Sequence, residues 1–217
     1  MNKNVVIIDY QLGNLFSVNQ ALVNIGLNVS ISSDPKDVEK ADAIVLPGVG
    51  AFGNAMTNLE QLGLIEPIKN AIAAGKPFLG ICLGLQLLFS ESEEFGASQG
   101  LNVISGRVRR FKNDNAEEPI RVPQIAWNTI ERPTPDRWDK SPLKGIANHE
   151  HMYFVHSYYV EPEDESNVLT TTTYKGVSYT SSILKNNIFA CQFHPEKSAQ
   201  EGLKIYKEWA AQNQLID

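Results

Sequence analysis

Three clusters of residues in this sequence could do chemistry, and each has a spacing that says what kind. Residues 76 to 90 read Lys-Pro-Phe-Leu-Gly-Ile-Cys-Leu-Gly-Leu-Gln-Leu-Leu-Phe-Ser. The apolar run Phe78 to Ile81 fits a buried parallel strand, and Leu83 to Ser90 fits a following helix. Between them, Gly80-Ile81-Cys82-Leu83-Gly84 has the G-x-nucleophile-x-G pattern of a nucleophile elbow. Glycines on either side let a strand turn sharply into a helix, which leaves the central side chain standing above the sheet. A thiol placed there also meets the positive end of the helix dipole, which favours thiolate. The competing reading is a buried core cysteine, the ordinary state of a free thiol.

The second cluster is Gln192-Phe193-His194-Pro195-Glu196, directly after the apolar strand Ile188-Phe189-Ala190-Cys191. A histidine at a strand end with a carboxylate two residues on can hold one imidazole tautomer and stabilise the imidazolium. Alone, the pair could equally cap the strand and open the last helix. The third cluster, Pro47-Gly48-Val49-Gly50-Ala51-Phe52-Gly53, contains a literal G-x-G-x-x-G after a strand, so a dinucleotide site has to be weighed. It follows the third strand rather than the first, and no acid stands at the expected distance on a later strand end. His149, Glu150, His151 and His156 invite a metal reading, but their spacing is not a zinc pattern, and no metal is expected.

The elements that must position these groups change character along the chain. Val5 to Asp9, Asn28 to Ile31, Ala43 to Leu46 and the strand before Cys82 read as buried strands. Leu15 to Ile25 has helical spacing stopped by Gly26, and Asn54 to Ala74 reads as a helix in two pieces around Gly63 and Pro67. Strands alternating with helices predict a parallel sheet covered on both faces. From about Leu101 the strand candidates crowd together: Val103-Ile104, Arg107 to Phe111, Ile120 to Ile125, Tyr153 to Tyr159, Val168 to Tyr174, Val177 to Leu184 and Ile188 to Phe193. Lys175-Gly176 and Asn186-Asn187 predict antiparallel hairpins, Arg132 to Gly145 a surface loop, and Ala199 to Gln212 a closing amphipathic helix.

Composition bounds the rest. A chain of 217 residues, 42% hydrophobic, suits one domain with a proper core, taken here as residues 1–217. A net charge of −6 without a basic block argues against nucleic acid as a partner. The longest nearly apolar run, Pro77 to Phe89, is too short to span a bilayer, so no membrane association is expected. The chain opens directly into strand-like sequence rather than a signal peptide. With Cys82 and Cys191 as the two cysteines there is no disulfide framework, and a reducing cytoplasm is the expected setting.

The order Cys82, then His194, then Glu196 directly after the base differs from the Ser-Asp-His order of α/β-hydrolases. With cysteine as nucleophile it resembles the class I, triad glutamine amidotransferase family, over nearly the whole chain. That resemblance implies an α/β fold with a central, mostly parallel sheet flanked by helices and an antiparallel β extension. It also implies L-glutamine as substrate, with Cys82 attacking the side-chain amide, His194 moving the proton and Glu196 orienting His194. Water would then release glutamate from a glutamyl thioester, without a cofactor. By the same resemblance, a backbone N–H near Val49 and Gly50 joins that of Leu83 as the oxyanion site. Gln86, Ser157 and Tyr158 match positions that hold the substrate.

Within the family, four stretches are similar to the glutaminase subunits of imidazole glycerol phosphate synthase, of histidine biosynthesis. They are Asp9 to Leu15, Val122 to Asn128, Tyr153 to Tyr158 and His194 to Ser198. The implied partner is a (β/α)8 cyclase subunit, with ammonia passing through its barrel to a ribotide substrate. Trp127, Tyr153 and Lys197 match interface positions, and Asn14 lies in a loop facing that interface. Gln11 and Ala126 stand where the family usually has glycine. They leave open a paralogous subunit that supplies ammonia to a sugar amidotransferase in surface-polysaccharide synthesis. From other classes, a cysteine hydrolase or peptidase working without a partner and a catalytically silent binding subunit also remain open.

Overall fold

Short apolar strands alternating with amphipathic helices can bury both faces of a sheet only if the helices cover it from both sides. The computed structural model does this in its first half, as β1 (Asn4–Ile8), α1 (Leu15–Asn24), β2 (Asn28–Ser32), α2 (Pro35–Lys40), β3 (Ala43–Gly48), α3 (Phe52–Gln61), α4 (Ile65–Ala73), β4 (Phe78–Cys82) and α5 (Leu83–Leu87). There follow β5 (Phe89–Ser92), β6 (Ser98–Gln99), β7 (Ile104–Arg110), β8 (Gln124–Ile130), β9 (Glu150–His156), β10 (Tyr158–Pro162), β11 (Val168–Tyr174), β12 (Val177–Lys185), β13 (Ile188–Cys191) and α6 (Ala199–Gln212). The described residues are 3–112 and 120–216, so Met1 and Asn2 at the start of the expected single unit lie outside them.

The large sheet runs β2-β1-β3-β4-β13-β12-β10-β7-β5-β6, with β11 paired to β12. Its first five strands are mutually parallel, and β12, β10 and β7 extend it in antiparallel fashion. The fold is therefore α/β, a central parallel sheet with an antiparallel extension. Alternate residues of β1 divide between two cores: Val5 and Ile7 join one face, Val6 and Ile8 the other. On the first face α6 buries Gly202, Ile205, Tyr206, Trp209 and Ala210, the i, i+3, i+4, i+7, i+8 stripe of a helix lying on a sheet. The hairpin at Lys175-Gly176 has positive φ at both turn residues, as a two-residue turn between twisted strands requires.

Several sequence expectations need correction. The helix after Cys82 ends at Leu87 rather than Ser90, because Phe89 already pairs with Ile104 as part of β5. Tyr153 to Tyr159 is not one strand. It breaks at Ser157, with β9 pairing β8 in a separate two-stranded sheet and β10 entering the large one. The candidate Ile120 to Ile125 is displaced to Gln124–Ile130, and the candidates Val103-Ile104 and Arg107 to Phe111 become one strand, Ile104–Arg110. The segment 132–145 is not simply surface loop, since Trp138 and Leu143 are fully buried and the Trp138 indole donates to Leu169 O at 2.8 Å. The break between α3 and α4 falls at Gly63, while Pro67 sits in the first turn of α4, where proline is tolerated.

Gly84 marks where packing is tightest. A β-carbon there would overlap the Leu46 carbonyl oxygen of β3, which is backbone and cannot swing away. Gly84→Ala is therefore expected to cost about 1–3 kcal/mol, lowering the melting midpoint by roughly 3–10 °C. A midpoint within a degree of wild type would contradict this packing.

Candidate active site

The three chemistry-bearing clusters meet because β3, β4 and β13 lie side by side and parallel. Register pairs Gly48 with Cys82 and Cys191 with Ile81, so all three strands end at one edge of the sheet. In open α/β sheets that edge is where ligands bind. Cys82 takes φ 55° and ψ −108°, a region that strains a residue with a side chain. The flanking glycines make room for the turn: a β-carbon at Gly80 would press on that of Ala190. Cys82 is 5% exposed.

Beyond β13 the chain turns through His194 into a 3-10 turn, Pro195–Lys197, that leads into α6. His194 Nδ1 lies 2.7 Å from Glu196 Oε1, and both side chains are buried. The other carboxylate oxygen accepts from the Tyr206 hydroxyl at 3.2 Å. Burial, and then the Glu196 charge, push the Tyr206 phenol well up, so it remains a donor. Burial alone would push His194 down. The charge of Cys82 and the Glu196 carboxylate outweigh it and hold His194 up at about 10, as an imidazolium at neutral pH. Its Nε2 is buried with no hydrogen bond closed to it in this resting geometry.

Beside the thiol lies a cavity of about 210 Å³. Val49, Gly50 and Leu83, expected at the oxyanion, line it, Gly50 with φ 119°. Gln86, Ser157 and Tyr158, expected to hold the substrate, line it too. The G-x-G-x-x-G glycines thus border the thiol: Gly48 beside Cys82 in the sheet, Gly50 at the cavity, Gly53 inside α3. Gly48 is close against the Tyr10 hydroxyl, which is fully buried and makes no hydrogen bond with the described residues.

Four groups at the site are given no role by sequence reasoning. Glu94 lines the cavity and accepts from Phe52 N at 2.7 Å, its pKa raised by burial against that bond. Tyr206, the anchor of Glu196, carried only the signal of a helical stripe. His156 is buried and pushed down to about 4 by desolvation, outweighing its bond to the Tyr158 carbonyl. It is a neutral imidazole whose Nδ1–H donates to Tyr158 O at 2.8 Å and whose Nε2 faces the Tyr179 hydroxyl at 3.2 Å. Gln192 Nε2 lies 3.5 Å from the Cys82 sulfur. Among the described residues, no three His, Cys, Asp or Glu side chains gather as metal ligands.

Three of the four expected interface residues form one surface group. Trp127, half exposed, stands edge-on to Tyr153 at 6.1 Å, and Lys197 Nζ sits 5.5 Å over the Tyr153 ring. This group adjoins the triad directly. His194 N donates to Tyr153 O at 2.9 Å, and Tyr153 N donates to Ser198 Oγ, which donates to His194 O. Asn14 is exposed and caps α1 by accepting from Ser17 N, and α1 packs beside the Pro195–Lys197 turn. Gln11 has φ 68°, the conformation for which glycine is best suited.

Residues 6–211 match the family model "Glutamine amidotransferase class-I". The chain is 49% identical over 209 residues to imidazole glycerol phosphate synthase subunit HisH of Syntrophotalea carbinolica, covering 94% of this chain and 98% of that one. It is 46% identical to the HisH subunit of Microcystis aeruginosa, covering 98% and 97%. Among solved structures it is similar to a glutamine amidotransferase (TM-score 0.71, 18% identity, 96% and 98% covered). It is also similar to PurLQS from Thermotoga maritima (TM-score 0.73, 17% identity, 97% and 99% covered). These two likenesses show the fold. The chain belongs to the class-I glutamine amidotransferase family, and within it to the HisH subunits of imidazole glycerol phosphate synthase.

Proposed function

We propose that residues 1–217 act as one glutaminase unit, hydrolysing L-glutamine to glutamate and ammonia for a (β/α)8 cyclase subunit of imidazole glycerol phosphate synthase. The observation that carries the reading is the strained thiol of Cys82 at the strand end beside the buried His194–Glu196 pair. The thiolate of Cys82 attacks the substrate's side-chain amide carbon, and the negative charge moves to the amide oxygen. Backbone N–H groups near Val49 and Gly50 and that of Leu83 receive that oxygen. His194, an imidazolium, gives its proton to the departing ammonia and then draws one from the water that cleaves the glutamyl thioester. Glu196, held by Tyr206, keeps the imidazole ring oriented. Gln86, Ser157 and Tyr158 hold the substrate, and Glu94 supplies the negative charge suited to its α-ammonium group. This chemistry calls on neither metal nor cofactor, and the cytoplasm is its proposed setting.

The acceptor of the ammonia lies on the partner. Trp127, Tyr153 and Lys197 form the proposed docking surface, with Asn14 at its edge. Large, partly exposed aromatic residues are the usual anchors of such contacts. Because Tyr153 and Ser198 hold the main chain of His194, contact on this surface bears on the triad. The relatives named HisH favour the histidine pathway over a paralogous role in surface-polysaccharide synthesis.

Cys82→Ala is expected to lower glutamine hydrolysis by more than about 10³-fold with the fold intact; full activity would sink the enzymatic reading. Adding a cyclase subunit with its ribotide ligand should raise glutamate release at least about tenfold over the chain alone. Equal turnover with and without the loaded partner would refute partner control. Loss of stimulation together with retained Cys82 labelling by a glutamine analogue would point to the sugar-pathway partner.

The two buried histidines should titrate in opposite directions when their ring nitrogens are followed by NMR. His194 should stay an imidazolium until pH approaches about 10, and His156 should stay neutral until about 4. The signs for stability follow. His194 contributes fully below its unfolded pKa, about 6.5, and that contribution fades as pH rises toward 10. His156 makes the fold less stable as pH falls from about 6.5 toward 4. Titration of both rings near 6.5 would contradict these environments.

A further inference from the structure

We propose that Gln192 is a positioning residue for the nucleophile, a fixed amide donor whose direction is set by the wall of the substrate cavity. The inference rests on Cys82 being the nucleophile, as above. It begins at the carbonyl oxygen of Tyr158, which can only accept. That oxygen takes the Nδ1–H of His156 at 2.8 Å and the Nε2–H of Gln86 at 3.0 Å. The Gln86 amide therefore cannot be flipped, although side-chain amides are otherwise ambiguous in orientation. The second hydrogen of the same Nε2 goes to Gln192 Oε1 at 3.0 Å. With its oxygen committed to Gln86, Gln192 must turn its NH₂ toward the Cys82 sulfur, 3.5 Å away.

Burial makes this orientation hard to lose. Gln192 is fully buried and Gln86 nearly so, which leaves Gln192 no bulk water to replace a lost partner. The main chain of Gln192 is also tied to the sheet, its N–H donating to Ser181 O at 2.8 Å. A further polar neighbour of the sulfur is the Val155 carbonyl oxygen at 3.8 Å, which a thiol can donate to but which repels a thiolate. Gln192 thus joins the His194 imidazolium in favouring the ionised sulfur, both before attack and when the thioester sulfur departs. A corollary concerns Gln86. Both Nε2 hydrogens are engaged, so what it can turn to the cavity is its carbonyl oxygen, an acceptor for an N–H of the substrate.

The test compares full-length wild type with Gln192→Met, which removes donor and acceptor, and Gln192→Glu, which keeps shape and acceptor but removes the donor. Two quantities are read. One is the pH dependence of Cys82 alkylation by chloroacetamide, located by peptide mass so that Cys191 does not contribute. The other is kcat and KM for glutamine with the activating partner present. The other titratable groups around the sulfur, His194, His156, Glu196, Tyr10 and Cys191, with Glu94 and Tyr158 of the cavity wall, are unchanged in both variants. The pH of half-maximal alkylation should rise by about one unit in Gln192→Met and further in Gln192→Glu, with kcat down roughly tenfold and KM changed less. Should Gln192→Met fail to fold, Gln192→Glu carries the comparison. Unchanged alkylation profiles, even with a lower kcat, would overturn the proposal and leave Gln192 a packing residue. If Cys82→Ala still hydrolyses glutamine at the wild-type rate, the functional reading fails instead.

Discussion

The turn by which β4 becomes α5 at Cys82 is the constraint on which the rest depends. A side-chain-bearing residue at φ 55° and ψ −108° is strained by about 1–3 kcal/mol and persists only where its surroundings over-determine it. Here they do. Gly80 lets the neighbouring β13 come close, Gly84 lets the start of α5 rest on the backbone of β3, and Gly48 lies directly beside the thiol in the sheet. The same register that stabilises the sheet therefore brings the Cys82 thiol, the strand leading to His194 and the glycine-rich segment to one edge. Altering any of these three contacts would move the sulfur relative to its partners.

Around that thiol, two buried imidazoles have been driven to opposite protonation states. His194 sits between the Cys82 charge and a carboxylate fixed by Tyr206, and its imidazolium is favoured. His156 has lost water and has only a carbonyl and a phenol as partners, so it is neutral. The charged ring can move protons, while the neutral one helps fix the Tyr158 carbonyl at the cavity wall. Pairs of like groups split in this way are a recurrent means of assigning different roles within one site. The surface group of Trp127, Tyr153 and Lys197 is joined to the charged ring through main-chain hydrogen bonds.

Much of this was legible in sequence because the signals were local. The glycines around Cys82, the proline and acid after His194, the hairpin at Lys175-Gly176 and the stripe of α6 each report their own geometry. Other features were hidden for physical reasons. The run from Leu83 is apolar all round, so periodicity could not show that the helix stops at Leu87 and a strand begins. Tyr153 to Tyr159 is rich in strand-favouring residues and holds no Gly or Pro, and only pairing with two different sheets divides it at Ser157. α2 did carry a readable start, Asp34 capping before Pro35, but it buries a single side chain, Val38, too little for a stripe. Gln192, Glu94 and Tyr206 matter through contacts made across more than one element, and nothing in their sequence neighbours announces them.

The most direct test of Cys82 as the reacting atom is to quench the partner-activated protein in acid during glutamine turnover and to map the adduct by mass spectrometry. A glutamyl thioester should appear on the peptide that carries Cys82, and its amount should fall once glutamine is exhausted. Turnover with no adduct on Cys82, or with the adduct on Cys191, would contradict the assignment of the elbow thiol as nucleophile.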